Sequence, residues 1–169
     1  MSVDVSIQVL QRRMDAALDP LLSFKWVCTE LPYGMDPTYV EEVSMPFLTI
    51  QPKEGLFGAG TYSYYPGFED ISAFDVTFYE DSVMTTTKWL KEWKERIRRP
   101  SDGCYYLPGY YKQNIVVKMM DTTGKVIATV TLKNCWPTGR SNWDLNYTSD
   151  GRLTVQQNFS VDDQEVEFG

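Results

Sequence analysis

The sequence contains no histidine. That absence removes Ser-His and Cys-His nucleophile pairs, HExxH zinc sites and imidazole acid–base chemistry. Cysteine is scarce too: Cys28, Cys104 and Cys135 stand far apart, and no CxxC occurs. The spacing excludes a structural zinc site and predicts three thiols, mostly buried, rather than a disulfide framework. No run of about 18 apolar residues exists, so no membrane-spanning helix and no membrane insertion are expected. The opening MSVDVSIQVLQRR lacks a basic stretch followed by an apolar one, so no secretory signal is expected. Gly55, Gly58 and Gly60 are not followed by Lys-Ser/Thr and do not join a strand to a helix, which excludes a phosphate-binding loop.

Base is scarcer than acid, and the net charge is −7. An acidic chain does not make phosphate contacts its main business. The imbalance is uneven. Residues 1–81 hold 13 acids and 4 bases, whereas residues 82–99 hold 6 bases and 2 acids. A carboxylate-only hydrolase survives in principle. Its candidate pairs are Glu41-Glu42, Glu69-Asp70, Glu80-Asp81 and Asp162-Asp163. Neighbours in a strand point to opposite faces, so these pairs cannot flank one substrate. The expectation is a chain with no enzymatic activity, cofactor or metal.

What is present is sheet. With 43% hydrophobic and 14% aromatic residues, the chain can fold throughout one domain spanning 1–169. The last third reads as three alternating strands, KVIATVTLKNCWP, NWDLNYTS and RLTVQQNFSVDDQEVEF. The turns Trp136-Pro137-Thr138-Gly139 and Ser149-Asp150-Gly151 are expected to separate them. Thr129 and Thr131 share one face with Lys133, Asp144 shares one with Asn146, and Thr154, Gln156, Asn158 and Ser160 share another. Each set opposes an apolar set, as in a sheet with one buried face. Gln113–Met120 precedes these strands, so residues 112–162 form a four-stranded part.

Upstream, Val5, Val9, Leu10, Met14, Ala17 and Leu18 suit an amphipathic helix within residues 1–20, ended by Asp19-Pro20. Strands are expected at 22–29, 38–45 and 71–79, the last with Phe74, Val76 and Phe78 inward and Asp75 and Thr77 outward. Ser82 reads as the cap of a helix over 83–98. Val83, Thr86, Leu90, Trp93 and Ile97 form its apolar stripe, and Lys88, Lys91, Lys94 and Arg98 its basic face. Residues 46–70 read as a long loop rich in glycine and aromatics. Phe57, Tyr62, Tyr64, Tyr65 and Phe68 need something to pack on, and a neighbouring subunit is the expected partner. YYLPGYY (105–111) reads as an aromatic turn. The fold class is mainly β with one flanking α-helix (α+β), built as two packed antiparallel sheets or a partly open barrel.

Four segments carry a family resemblance. They are the strand closed by Thr-Glu-Leu-Pro (29–32), the strand–helix pair FDVTFYEDSVMTTTKWLKEW (74–93), VTLKNCWPTG (130–139) with its Trp136-Pro137-Thr138 turn, and WDLNYTSDGRLTVQQNFSVD (143–162). In this order they resemble the tail tube proteins of contractile-tailed bacteriophages, of the T4 type, which are related to the ring proteins of type VI secretion. The resemblance implies a homohexameric ring in which each subunit gives four strands to an inner β-barrel. Rings stack into a hollow tube that passes genomic DNA without binding it specifically. The implied partners are the sheath, the baseplate and a tape-measure protein. The implied location is the virion tail, after assembly in the host cytoplasm. Under this resemblance Asp75, Thr77, Thr129, Thr131, Asp144, Asn146, Thr154, Gln156 and Asn158 are candidates to face the lumen. The loop would stack rings, and the basic helix would face the sheath. A tube initiator, a baseplate-proximal ring or a type VI-like secreted ring keeps the same fold. A carbohydrate-binding β-sandwich using the two aromatic clusters is a reading of another class.

Overall fold

The computed structural model describes residues 23–57, 61–143, 145 and 151–169. The expected helix within 1–20 lies outside the described residues. Strand β1 spans Trp26–Glu30 and β2 spans Val40–Val43, with two short 3-10 turns, Pro32–Gly34 and Pro37–Tyr39, between them. Strands β3 (Leu48–Phe57) and β4 (Thr61–Ile71) follow, then β5 (Phe74–Tyr79). Helix α1 covers Thr85–Ile97 and the four-residue helix α2 covers Pro108–Tyr111. Strands β6 (Gln113–Met120), β7 (Val126–Trp143), β8 (Thr154–Ser160) and β9 (Asp163–Phe168) complete the chain. Among the described residues the protein is mainly β, with antiparallel sheets and one substantial helix.

Seven strands follow the path β1-β6-β7-β8-β5-β2, with β9 added to β7. The long strand β7 divides this path into two halves. Its first part pairs β6 and β9, up to Gln113↔Cys135 and Lys133↔Asp163. Its second part, from Trp136↔Ser160 to Trp143↔Val155, pairs β8. Asn134 sits where the partners change, in the left-handed conformation at φ 58°. A left-handed residue turns the chain out of the first ladder and into the second.

The inner faces of the two halves form one core. Cys28, Ile115, Val117, Val130 and Leu132 come from the first half, and Phe74, Val76, Phe78, Val155 and Phe159 from the second. Alternation of the kind expected at Phe74, Val76 and Phe78 places all three inside. Helix α1 closes one end. Trp93 is fully buried, with its ring 5.5 Å from Phe159 and 5.3 Å from Trp89. Burying one such side chain contributes about 1.5–3 kcal/mol.

Five expectations need correction. Leu48–Phe57 and Thr61–Ile71 are paired strands rather than parts of a loop, with a register from Leu48↔Ile71 to Phe57↔Thr61. Trp136-Pro137-Thr138-Gly139 does not end a strand. The strand runs through it with an irregularity between Thr138 and Asn142, where Gly139 takes φ 66°. Among the described strands this part of β7 pairs β8 alone, and an edge position of this kind tolerates Pro137. No separate strand begins at Asn142, since Asn142 and Trp143 belong to β7. The final run splits at Val161-Asp162, and β9 turns back onto β7. Helix α1 starts at Thr85 rather than Val83, because Asp81 and Glu80 cap it instead of Ser82. Val83 is therefore exposed, while Trp89 joins Thr86, Leu90 and Trp93 in the buried stripe.

Candidate assembly interface

The β3–β4 hairpin exposes several large apolar side chains. Its strands pair only with each other among the described strands. Two strands alone are marginally stable in water. Cross-strand partners share a face, so the register puts Leu48, Ile50, Pro52, Tyr64, Pro66 and Ile71 on one side, together with Glu54 and Glu69. Phe68 lies at a bulge between Ile50↔Glu69 and Pro52↔Pro66. Phe47 and Phe68 are 80% and 85% exposed, and Leu48, Ile50, Tyr64 and Tyr65 are exposed as well. Gly67 permits the bulge: a Cβ there would lie 2.6 Å from the Gln51 carbonyl oxygen. Phe57 and Tyr62 occupy the strand ends near the tip, opposite Thr61 and Leu56.

The sequence-derived polar residues fall on two different faces. On the outer face of the β2-β5-β8-β7 half, Asp75, Asn158 and Thr138 form one row, and Glu42, Thr77, Gln156 and Asn142 another. Thr154 stands opposite Tyr79. The Asn158 amide donates to Asp75 Oδ1 at 3.0 Å, and the Thr138 hydroxyl donates to Asn158 Oδ1 at 2.6 Å. The face is short-chained and mostly neutral. Thr129 and Thr131 lie on the other half, aligned with Lys118, Glu165 and Glu167. Lys133 pairs with Glu165 at 2.7 Å on that same face. Lys133 reaches Asp163 as well, and the alternation of β7 alone could not reveal these ion pairs. Asp144 and Asn146 lie outside the described residues.

No protein-family model matches the sequence, and no curated protein does. Solved structures do match. A chain of the anti-feeding prophage cap, its tube-terminating cap, is 16% identical, with a TM-score of 0.69 over 89% of this chain and 92% of that one. A chain of the sheath–tube complex of the PVC extracellular contractile injection system is 15% identical, with a TM-score of 0.68 over 92% and 97%. A type six secretion system protein is 10% identical, with a TM-score of 0.53 over 86% and 84%. This is the contractile-system tube fold.

On this tube fold, the edges of β1, β2 and β9 and the second part of β7 pair on one side only among the described residues. Unpaired edges are sites for adding strands. The basic face of α1 is partly structural. Lys88, Lys91 and Arg98 are exposed, but Lys94 Nζ donates to Ser141 Oγ at 2.9 Å, and burial holds its pKa below the usual lysine value. The Ser141 hydroxyl passes a bond to Gln157 Oε1 at 2.7 Å. Gln157 is fully buried and donates to the Thr138 and Asn158 carbonyls. The tie from helix to sheet runs through a glutamine on the apolar face of β8, a position that periodicity assigns to a hydrophobe. In the Trp136-Pro137-Thr138 segment, Pro137 is buried and Trp136 packs edge-on to Tyr111 at 6.0 Å.

Of the carboxylate pairs, Glu80-Asp81 caps the start of α1. Glu80 accepts from the amide and hydroxyl of Thr87, and Asp81 from those of Thr85. Among the described residues no cluster of three potential metal ligands occurs, and no helix is long and apolar enough to cross a membrane. The segment at 105–111 was legible as aromatic but not as a surface. Tyr105 and Leu107 are 74% and 72% exposed, and Tyr110 is exposed beside them.

Proposed function

We propose that this chain is a structural ring subunit of a contractile-type tail tube. The observation that carries the reading is the apolar hairpin standing off a body with the tube fold. Exposed apolar side chains on this scale mark an interface. Subunits close into hexameric rings by strand addition, which abolishes the open edges. The β2-β5-β8-β7 half lines the lumen, since its neutral face with Asp75 neither grips nor traps a passing polyanion. The ion-paired half and the exposed lysines of α1 face outward, toward a sheath. The hairpins join each ring to the next, and the tube meets a baseplate and a tape-measure protein at its ends. DNA passes through without specific contacts. The subunit belongs to an assembled tail particle, put together in the host cytoplasm, and its role is mechanical rather than catalytic.

A terminal ring is the second reading, and the likeness to the tube-terminating cap favours it. Negative-stain microscopy with solution mass tests both. Hollow tubes with sixfold end views support the tube subunit, and rings that never elongate support the terminal one. Deleting residues 54–66 should leave a folded subunit that makes no tubes. Tubes of normal length from that variant would overturn the stacking role. A monomer that binds soluble glycans would overturn the ring reading altogether.

A further inference from the structure

The half that pairs in the order β7-β8-β5-β2 ends on two open strands. Among the described residues, β2 pairs β5 alone and the second part of β7 pairs β8 alone. Every pairing in this half is antiparallel, and it holds four strands, so the two end strands run in opposite directions. Laying the β2 edge of one copy beside the β7 edge of the next therefore makes another antiparallel ladder. Such a contact joins unlike surfaces and repeats around a ring.

The two edges differ in charge. Glu41 and Glu42 are exposed on β2, and Glu41 is the extra residue of a bulge between Val40↔Phe78 and Glu42↔Thr77. Neither carboxylate has an ion-pair partner among the described residues. At the β7 edge, a cleft of about 1100 Å³ opens between α1 and the sheet, with Ser141 and Trp143 on its sheet side. On its helix side Lys91, Lys94, Arg98 and Arg99 outnumber Glu95 and Asp102. Both of these acids are already engaged, Glu95 with Lys91 at 3.8 Å and Asp102 with Arg99 at 3.2 Å. Among the described residues, Lys94 and Arg98 are left with neutral acceptors, the Ser141 hydroxyl at 2.9 Å and the Gly103 carbonyl at 3.1 Å. Lys94 is half-buried. A cation drawn partly out of water gains from an anion beside it. The register sets Glu42 of β2 at the level of Asn142 of β7, between Ser141 and Trp143. The acidic stretch of one edge and the basic cleft at the other thus share one level.

We infer that the cleft between α1 and β7 is the socket for the acidic β2 edge of the neighbouring copy, with Glu41 facing Lys94 and Arg98. This rests on the ring reading and names the two surfaces that close the ring. The unlike charges favour head-to-tail pairing, whereas β2 against β2 would set Glu41 and Glu42 against their own copies.

Glu41→Arg and Arg98→Glu, both at exposed positions, supply the test. Each variant should keep the wild-type circular dichroism. Native mass spectrometry and electron microscopy should show rings from the wild type and a loss of rings from either variant alone. Mixing the two should restore rings in which they alternate, because every junction then sets acid against base. Rings from both variants at the wild-type yield would overturn the inference and leave the ring reading intact. Loss of rings with no recovery on mixing would also overturn it, as would rings sensitive at Glu41 but not at Arg98. A cross-link that keeps Glu41 gives a second reading. Glu42→Cys with Asn142→Cys, in a Cys104→Ser background, places two thiols three strand spacings apart within one copy, about 14 Å. That is beyond the reach of a short bis-maleimide, which should instead join neighbouring copies in a ladder ending at the hexamer. Rings by microscopy without that ladder would overturn the inference alone. A wild type that forms no rings at any concentration, with cysteine variants that do not cross-link, would sink both readings.

Discussion

The carboxylate of Asp81 accepts the amide and the hydroxyl of Thr85, at 2.9 and 2.7 Å. It also accepts the Tyr39 hydroxyl at 3.0 Å, tying the start of α1 to the segment before β2. The Thr85 hydroxyl, then its amide, lower the Asp81 pKa from an ordinary 3.8 to about 2. A depressed carboxylate stabilises the fold above its unfolded pKa, and the stabilisation is lost as pH falls through the folded value. The wild-type unfolding midpoint in urea should therefore drop between about pH 4 and pH 2. Asp81→Asn should be less stable at pH 7 and lose less over that window. Equal pH dependence in the two proteins would contradict the role.

Asn134 holds φ 58° at the point where β7 changes partners. A β-branched residue there meets its own carbonyl, at a cost of about 1–2 kcal/mol, whereas glycine does not. Asn134→Val should lower stability by that amount, and Asn134→Gly by clearly less. Chemical denaturation of the two variants decides it; equal losses would mean that the side-chain amide, not the backbone, matters at this site.

The hairpin bulge can be probed without touching an aromatic. Gly67→Val drives a side chain against the Gln51 carbonyl. Because β3 and β4 pair only with each other among the described strands, the body should keep its circular dichroism and melting temperature while assembly fails. A variant that assembles normally would show that the bulge geometry is dispensable.

Burial pushes the Cys28 thiol up to about 11 and the Cys135 thiol up to about 12. Thiolate is the reactive form, so neither should react at neutral pH. A maleimide pulse followed by mass spectrometry should label the native protein once, at Cys104, and the denatured protein at all three free cysteines. Labelling of Cys135 in the native state would reveal an opening of the core beneath β7.

Strict alternation made β5 and the inner face of β8 readable from sequence, because a one-residue slip would expose Phe74, Phe78 and Phe159. The hairpin was not readable as strands. Its glycines and prolines match loop composition, and its register depends on a bulge at Gly67 that has no local signal. The aromatic residues that make it a surface were visible all the same. The two polar faces could not be separated either. Thr129 and Thr154 look alike in sequence, and only the pairing of β9 with β7 sets Glu165 and Glu167 beside the former. Gln157 was hidden because its bonds to Ser141 and Thr138 bridge β8 to β7, 16 and 19 residues away in sequence.

The pairing of β5 with β8 joins Phe74 to Phe159 and Tyr79 to Thr154. Non-local pairings of this kind close large loops and form slowly. On a ribosome, the sheet that would line the lumen cannot be completed until residue 160 has emerged, although the hairpin was exposed long before. Synthesis order thus presents the exposed apolar hairpin first and completes the β5–β8 pairing last. Under the ring reading, premature hairpin contacts between nascent chains would have no ring to extend, and tube growth would wait for the arrival of β8.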